Sequence, residues 1–561
     1  MPTIELSLSD LEVLVKRKLP KDEEGLDPMM QSVKCEIENV NGDTLTLSQQ
    51  DGNRPDLWCV EGIARSLKGF LKVETGLSVY KKRRAGYKVI VDRKIKTIRP
   101  YIACAVVKGV KLNDTIIKQL MQYQEKIDGT YGRNRSKSSI GLYNLDLLKF
   151  PLHYTVTKLN ENAFKPLGFE VLMTPEEILN EHPKGKEYGA LLKGLKEVPI
   201  FKDSVGNILS FPPVINSNDL GKVVANTQNI LVEVTGTDAK TVNSVLEMVS
   251  MSLADRGGEI FEVSINYPYT VESSYKDTPR FSNKRVMLDV KQVEKLIGIK
   301  TRPQEVARLL EAMRYGASAK GGSVDITVPF YRNDIMHSVD LIEDVAIMIG
   351  YNKIVPEAPA LPTIGALSAG ERLSDRIREL GVGLGCQEVM NFTLTNKSDL
   401  FEKMNIPETK ELKPIEIENP VNTEFTCFRN WLLPGLMKFL SENRSAEYPQ
   451  KAFEVGNCAE FYSFSETGTN VFNSFAGVMS YDKCNFTHIK SIVEALLKQL
   501  RVDYELKPTS HPSFIENRAV LITWRKNIIG SFGEIHPKVL QNWNLEMPVI
   551  AFEINLEKLT I

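Results

Sequence analysis

The stretch PFYRNDIMHSVDLIEDVAIMIGYNKIVP, residues 329–356, decides how the rest of this chain is read. It sets four carboxylates, Asp334, Asp340, Glu343 and Asp344, within eleven residues. Ser338 is a good helix N-cap and Gly350 a good stop. Between them Ile342, Val345, Ala346 and Ile349 follow the i, i+3, i+4, i+7 pattern, which predicts an amphipathic helix with that stripe on the core. Asp340, Glu343 and Asp344 fall on the opposite face, within reach of one another, and Asp334 sits on the approach. Ile347 projects from the same acidic face, where an apolar side chain is better placed against a partner than in water. Two readings fit. Acids in a first helical turn complement the helix dipole, by roughly 0.3–1 kcal/mol each. Alternatively, crowded carboxylates gather a cation, and all-oxygen ligands suit Mg²⁺ before Zn²⁺.

The bulk of the chain is ordinary globular material. Its 561 residues are 42% hydrophobic and 25% charged, a length that suggests roughly three to five domains. A net charge of −1 excludes a polycation, so any nucleic-acid contact must come from local patches or a partner. The seven cysteines are scattered, without a CxxC pair, which points to free thiols, a reducing compartment and no zinc site. The N-terminus has early acids and no apolar core region, unlike a signal peptide. No apolar run approaches the length of a membrane span. The expected location is cytoplasmic, with no membrane contact.

The chain reads as multidomain α+β. Residues 1–85 form an α+β unit: PTIELSL alternates as a strand, and Ser9-Asp10-Leu11-Glu12 reads as a capping box. After a turn-rich link at 51–56, Val60, Ile63, Ala64, Leu67 and Leu71 mark one face of a helix. Residues 81–99 carry nine basic side chains and one acid. They suit either phosphate contact or a solvated linker. Residues 86–272 are mixed α/β, with strands such as YIACAVV and NILVEVTG and turn clusters at 203–207 and 217–219. Residues 273–356 resemble a winged helix: the strand RVMLDV, a short helix around 292–296, a second opened by Thr301-Arg302-Pro303-Gln304, a flexible tip GASAKGG, and the strand SVDITVP. Residues 357–561 form a larger block of antiparallel strands with few helices. There is no GxxxxGK[ST], HExxH or GxSxG, and the six histidines are dispersed.

The order Arg-Asn-Asp, Val-Asp-Leu-Ile-Glu-Asp-Val-Ala, Gly-Tyr-Asn-Lys-Ile closely resembles the B5 region of phenylalanyl-tRNA synthetase beta subunits. The string NRPDLWCVEGIAR (53–65) is similar to the N-terminal domain of the archaeal and eukaryotic form; on its own residues it is a helix start without chemistry. The resemblance implies a B5 winged-helix domain in which Asp334, Asp340, Glu343 and Asp344 bind Mg²⁺ at the contact with an alpha subunit. It implies that 86–272 is a B3/4 editing-type domain hydrolysing tRNA mischarged with tyrosine, with a pocket at Ser210, Glu233 and Thr235. A site built to hydrogen-bond the tyrosine hydroxyl rejects phenylalanine, whose entry leaves that site's polar groups unpaired. Two departures stand out. The family often has Asp where Glu233 stands, and Ile140-Gly141-Leu142-Tyr143-Asn144-Leu145-Asp146 lacks a His and an Asp of the family's string. The last block resembles a class II synthetase core that is catalytically inactive. Phe428-Arg429-Asn430-Trp431 has Trp where the ATP-binding motif has Glu, and no arginine follows Arg525. The family works as an (αβ)₂ heterotetramer that attaches phenylalanine to tRNA(Phe) using ATP and Mg²⁺. Lacking the OB-fold insert and C-terminal anticodon domain of the bacterial form, this chain resembles the archaeal/eukaryotic type.

Two other classes are open to test. A stand-alone winged-helix nucleic-acid-binding regulator needs a basic recognition helix, for which Arg302, Arg308 and Arg314 are the candidates. A metal-dependent hydrolase built on the four carboxylates lacks an accompanying nucleophile or general base.

Overall fold

The computed structural model describes residues 2–272, 276–407 and 413–559. The chain divides into two compact units, Met1–Ala358 and Pro359–Ile561. The expected boundary at 272/273 adjoins 273–275, which lie outside the described residues.

The first unit opens with strand β1 (Thr3–Ser7), β2 (Cys35–Asn41) and β3 (Thr44–Gln49), paired antiparallel in the order β1-β3-β2. The helix after β1 begins at Leu8, with Ser7 as its N-cap; Ser7 Oγ accepts the Asp10 N–H at 3.1 Å. This displaces the expected Ser9–Glu12 capping box. Glu12 turns instead to Lys18 Nζ at 2.6 Å and the Leu19 N–H at 3.0 Å. Helix Val60–Phe70 buries Val60, Ile63, Ala64 and Leu67, as its periodicity predicts.

A ten-stranded sheet follows: β4 (Lys82–Val91), β5 (Tyr101–Lys108), β6 (Ser138–Asn144), β7 (Leu152–Lys158), β8 (Glu197–Lys202), β9 (Ile208–Phe211), β10 (Ile215–Asn216), β11 (Asn229–Gly236), β12 (Glu259–Asn266) and β13 (Asp277–Thr278). The order is β10-β9-β8-β7-β4-β12-β5-β11-β6, with β13 on β12. The first part of the basic run is strand β4, parallel to β12. That register lays Lys82 and Arg84 on Glu262 (3.1 and 2.8 Å) and Arg83 on Glu259 (2.9 Å), so these cations are matched within the sheet. Strand β11 is buried on both faces. Ile230, Val232 and Val234 of β11 join one core with helix Ala239–Asp255; Leu231 joins another with Cys104, Tyr143, Tyr154 and Phe201.

Strands β14 (Lys284–Asp289), β15 (Gly316–Lys320) and β16 (Ser323–Val328) form an antiparallel sheet in the order β14-β16-β15 with helices Val290–Ile297, Pro303–Ala312 and Ser338–Ile349. GASAK is thus the ordered strand β15 rather than a flexible tip. Its pairing with β16 absorbs those backbone groups, and the turn is confined to Gly321-Gly322, with Gly321 at φ +60.

In the second unit, seven strands run in the order Gln387–Glu388, Gln450–Phe461, Thr469–Ser480, Val549–Asn555, Asn527–Ile535, Phe514–Trp524 and Glu505–Pro508. All neighbours are antiparallel except the first pair. Among the described residues no helix is long and apolar enough to cross a membrane. All seven cysteines are buried free thiols.

Candidate functional site

The acidic helix starts where its sequence predicts, with one change of cap. His337 rather than Ser338 is the N-cap: its Nδ1 accepts the Val339 N–H at 3.3 Å. Asp340 Oδ2 accepts the N–H groups of Met336 and His337 at 2.8 and 2.7 Å. The four carboxylates do not share one open face. Asp344 is fully buried, because Tyr315 and Arg332 cover that side of the helix. The Tyr315 hydroxyl donates to Asp344 Oδ2 at 2.5 Å, and Arg332 Nη2 lies 2.8 Å from the same oxygen. Arg332 also grips Asp334, Nε to Oδ1 at 2.9 Å and Nη2 to Oδ2 at 2.6 Å. Burial alone would raise Asp334, but Arg332 and Arg54 outweigh it and bring its carboxyl to about 2. Glu343 is exposed and meets Lys34 Nζ at 3.2 Å. Arg54, inside the NRPDLWCVEGIAR string, pairs with Asp56 at 2.8 Å and reaches Asp334 at 3.8 Å. Its string is therefore more than a helix start. Ile347 is half-buried.

Among the described residues no three His, Cys, Asp or Glu side chains are gathered to hold a metal ion. The donor set nonetheless suits a hard cation in two respects. All four side chains offer oxygens, and Asp344 Oδ1 is buried without a hydrogen-bond partner. Within this chain Arg332 and Lys34 supply the positive charge.

The second constellation lies on the ten-stranded sheet. Glu233 of β11 is flanked in register by Cys104 of β5 and Gly141 of β6. Its strand neighbours Val232 and Val234 are apolar, and it is 2% exposed. Tyr143 of β6 and Ser210 of β9 converge on it from opposite ends of the sheet. The Tyr143 hydroxyl is 2.7 Å from Glu233 Oε2 and 2.8 Å from Ser210 Oγ. Ser210 and Glu233 line a cavity of about 170 Å³ together with Arg135, Pro212 and Asn216. Thr235 lies deeper, outside this lining, where it takes Arg99 Nε at 3.0 Å and Ser139 Oγ at 3.2 Å. Burial pushes Glu233 up to about 7, against the lowering by the Tyr143 hydroxyl and by Arg99. Glu233 Oε1 is buried and makes no hydrogen bond. Sequence reading missed Tyr143 and Arg99 as partners. The available signal was a lone Glu in the apolar strand ILVEV, which needs a polar neighbour.

In the second unit Arg429 is held internally. Its Nη1 is 2.6 Å from Glu454 Oε1, and its Nε donates to the Asn457 carbonyl at 2.9 Å. Arg314, a candidate recognition-helix cation, is likewise buried, with Nη2 2.8 Å from Glu74 Oε1.

These features coincide with known tRNA synthetase modules. Residues 286–351 match the model of the tRNA synthetase B5 domain, and residues 354–556 that of the phenylalanyl tRNA synthetase beta chain CLM domain. The chain is 41% identical over 567 residues to the phenylalanine–tRNA ligase beta subunit of Pyrococcus abyssi, covering all of both. It is 37% identical over 561 residues to that of Archaeoglobus fulgidus, covering 99% of this chain and 98% of the relative. A crystal structure of an N-terminal fragment of the beta subunit from Pyrococcus horikoshii aligns with a TM-score of 0.59 at 38% identity, over 62% of this chain and all of the fragment. The class is that of an aminoacyl-tRNA synthetase subunit. More narrowly, the chain belongs to the phenylalanine–tRNA ligase beta-subunit family.

Proposed function

We propose that this chain is the non-adenylating partner in a cytoplasmic ligase that attaches phenylalanine to tRNA(Phe) with ATP. The alpha subunit carries the adenylation site, and the two assemble as (αβ)₂. One observation carries this reading: Arg429, in the position of an ATP-binding arginine, is spent on Glu454 and backbone carbonyls. A guanidinium neutralised in this way offers no clamp for a triphosphate. Residues 1–85, 86–272, 273–356 and 357–561 are read as the N-terminal, B3/4, B5 and inactive class II-like domains. Aminoacylation measured with this chain alone and with its alpha subunit tests the reading. Activity only in the mixture is expected; activity of the chain alone would overturn it. The regulator reading loses support because Arg314 is buried on Glu74.

Two finer assignments go with it. The Ser210–Glu233 cavity is read as the hydrolytic site for tyrosyl-tRNA(Phe), supported by a buried carboxylate with one unpaired oxygen at its wall. Release of tyrosine from tyrosyl-tRNA by the complex, lost in Glu233→Gln, is the test. Asp340, Glu343 and Asp344, with Asp334 behind them, are read as the residues that would hold Mg²⁺ where the alpha subunit docks. Bound there, the ion would neutralise the facing carboxylates of an interface. In this chain Asp340 caps the helix and Arg332 orients Asp334 and Asp344, which presets the oxygens.

A further inference from the structure

Three cations of the second unit stand where the backbone favours glycine or asparagine. Helix Phe486–Gln499 ends in a Schellman motif: the Arg501 N–H donates to the Lys498 carbonyl at 3.0 Å, and the Val502 N–H to that of Leu497 at 3.0 Å. The left-handed residue of that motif is Arg501, at φ +56. Strands Phe514–Trp524 and Asn527–Ile535 are joined by a two-residue turn, Arg525-Lys526, with Trp524 opposite Asn527. Both turn residues are left-handed, at φ +49 and +69, the backbone of a type I′ turn, whose usual occupants are Asn-Gly. Long side chains are uncommon at such positions because their Cβ crowds the backbone.

All three cations line one cavity of about 800 Å³, with Arg376, Tyr504 and Trp524. They are exposed, and their side chains form no ion pair among the described residues. The Arg525 guanidinium lies over the Trp524 ring, 4.3 Å from its centroid. Arg376 donates to the Gln499 carbonyl at 3.0 Å. Two acids, Asp503 and Glu505, share the lining, and Glu505 is met by Lys507 Nζ at 3.3 Å. Four cations against two acids, one of which has its own counter-ion, leave the cavity with unmatched positive charge.

We propose that this cavity grips the phosphate backbone of tRNA, with Arg501, Arg525 and Lys526 each meeting a phosphate. The proposal rests on the reading of the complex as a tRNA ligase. RNA suits the cavity better than an acidic peptide does, because Tyr504 and Trp524 set aromatic rings beside the cations, the combination that holds unstacked bases and their backbone together.

The test is binding of tRNA(Phe) to the complex of this chain with its alpha subunit, as wild type and as the triple variant Arg501→Gly, Arg525→Asn, Lys526→Gly. The variant removes three charges while giving each position a residue that its backbone prefers, so the fold should be kept. Amide exchange in the two strands flanking the turn checks this. Each phosphate contact contributes about 0.7–0.9 to the slope of log affinity against log salt. Three lost contacts should make that slope shallower by about 2 to 3 and raise Kd about 100-fold at ~0.1 M salt, with the two proteins converging near ~1 M. Aminoacylation should show the loss in KM for tRNA with kcat kept. Phenylalanine-dependent ATP–pyrophosphate exchange, which needs no tRNA, should be unchanged. Arg501→Lys with Arg525→Lys keeps the charges and should stay within about threefold of wild type. An unchanged salt slope, or a Kd change under about threefold in the triple variant, overturns the proposal. So does weaker assembly with the alpha subunit at unchanged tRNA affinity, which would make the occupant an acidic protein segment. A wild-type complex that neither binds nor charges tRNA removes the ligase reading and the proposal with it, whereas a wild type that charges tRNA beside a variant that binds it equally well removes the proposal alone.

Discussion

Replacing Arg332 with methionine removes a guanidinium that touches two buried carboxylates at once. The side chains of Arg332, Asp334 and Asp344 are 2%, 7% and 1% exposed, so solvent cannot take over as counter-charge. Methionine fills much of the same volume but offers neither the 2.6 Å contact to Asp334 nor the 2.8 Å contact to Asp344. Arg54 remains near Asp334 at 3.8 Å, and Tyr315 still donates to Asp344. Breaking a buried ion pair by removing one partner costs about 3–5 kcal/mol. At 1.36 kcal/mol per decade this corresponds to about two to four orders of magnitude in an opening equilibrium. A chain of two compact units does not unfold in one step, so the local readout is amide hydrogen exchange in helix Ser338–Ile349. Protection there should fall by about that factor, while strands of the second unit keep theirs. A loss smaller than about tenfold would refute the reasoning, because it would mean that the carboxylates are already neutral or find another cation. Repeating the exchange with added Mg²⁺ is informative. Recovered protection in the variant is expected if the cluster accepts a hard cation in place of the guanidinium.

Further outcomes follow from the same geometry. Asp340→Asn weakens the acceptor for the Met336 and His337 N–H groups, so helix Ser338–Ile349 should lose about 1 kcal/mol by exchange, and assembly with the alpha subunit should weaken. Glu233 titrates near 7 in the fold against its ordinary 4.5. Between those values the folded chain keeps a proton that the unfolded chain has released, so this residue's contribution to stability falls as pH rises through the window. Glu233→Gln should therefore gain about 3 kcal/mol on wild type between pH 4 and pH 8, read from exchange of β11 amides at both pH values. Arg429→Met leaves Glu454 buried without its cation and should cost the second unit about 3–5 kcal/mol in denaturant unfolding. ATP binding to this chain alone should be undetectable before and after that change.

Local signals carried far in this chain and failed at definable points. The helix 338–349, the helix after residue 59 and the alternating strands of the sheets rest on periodicities that a few neighbouring residues fix, and the structure repeats them. The caps moved from Ser9 to Ser7 and from Ser338 to His337; at the first, the Ser9 hydroxyl donates to Asp43, 34 residues away, and Ser7 takes the Asp10 N–H. The four carboxylates and the family were legible from one segment. That Asp344 is roofed by Tyr315, and that Lys34 and Arg54 reach across to Glu343 and Asp334, was not. Nor was the pairing of Lys82, Arg83 and Arg84 with Glu259 and Glu262, which only the parallel register of β4 on β12 brings about. The cavity is the extreme case. Tyr143, Ser210 and Glu233 come from three strands, and Tyr143 is 67 and 90 positions from its partners in sequence. Sequence by itself determined the periodic helices and alternating strands and the family they serve, because those depend on neighbours along the chain; strand β15 needed its pairing with β16. Tertiary structure alone decided which charge meets which, because a buried ion finds its partner through sheet register and core packing rather than through spacing.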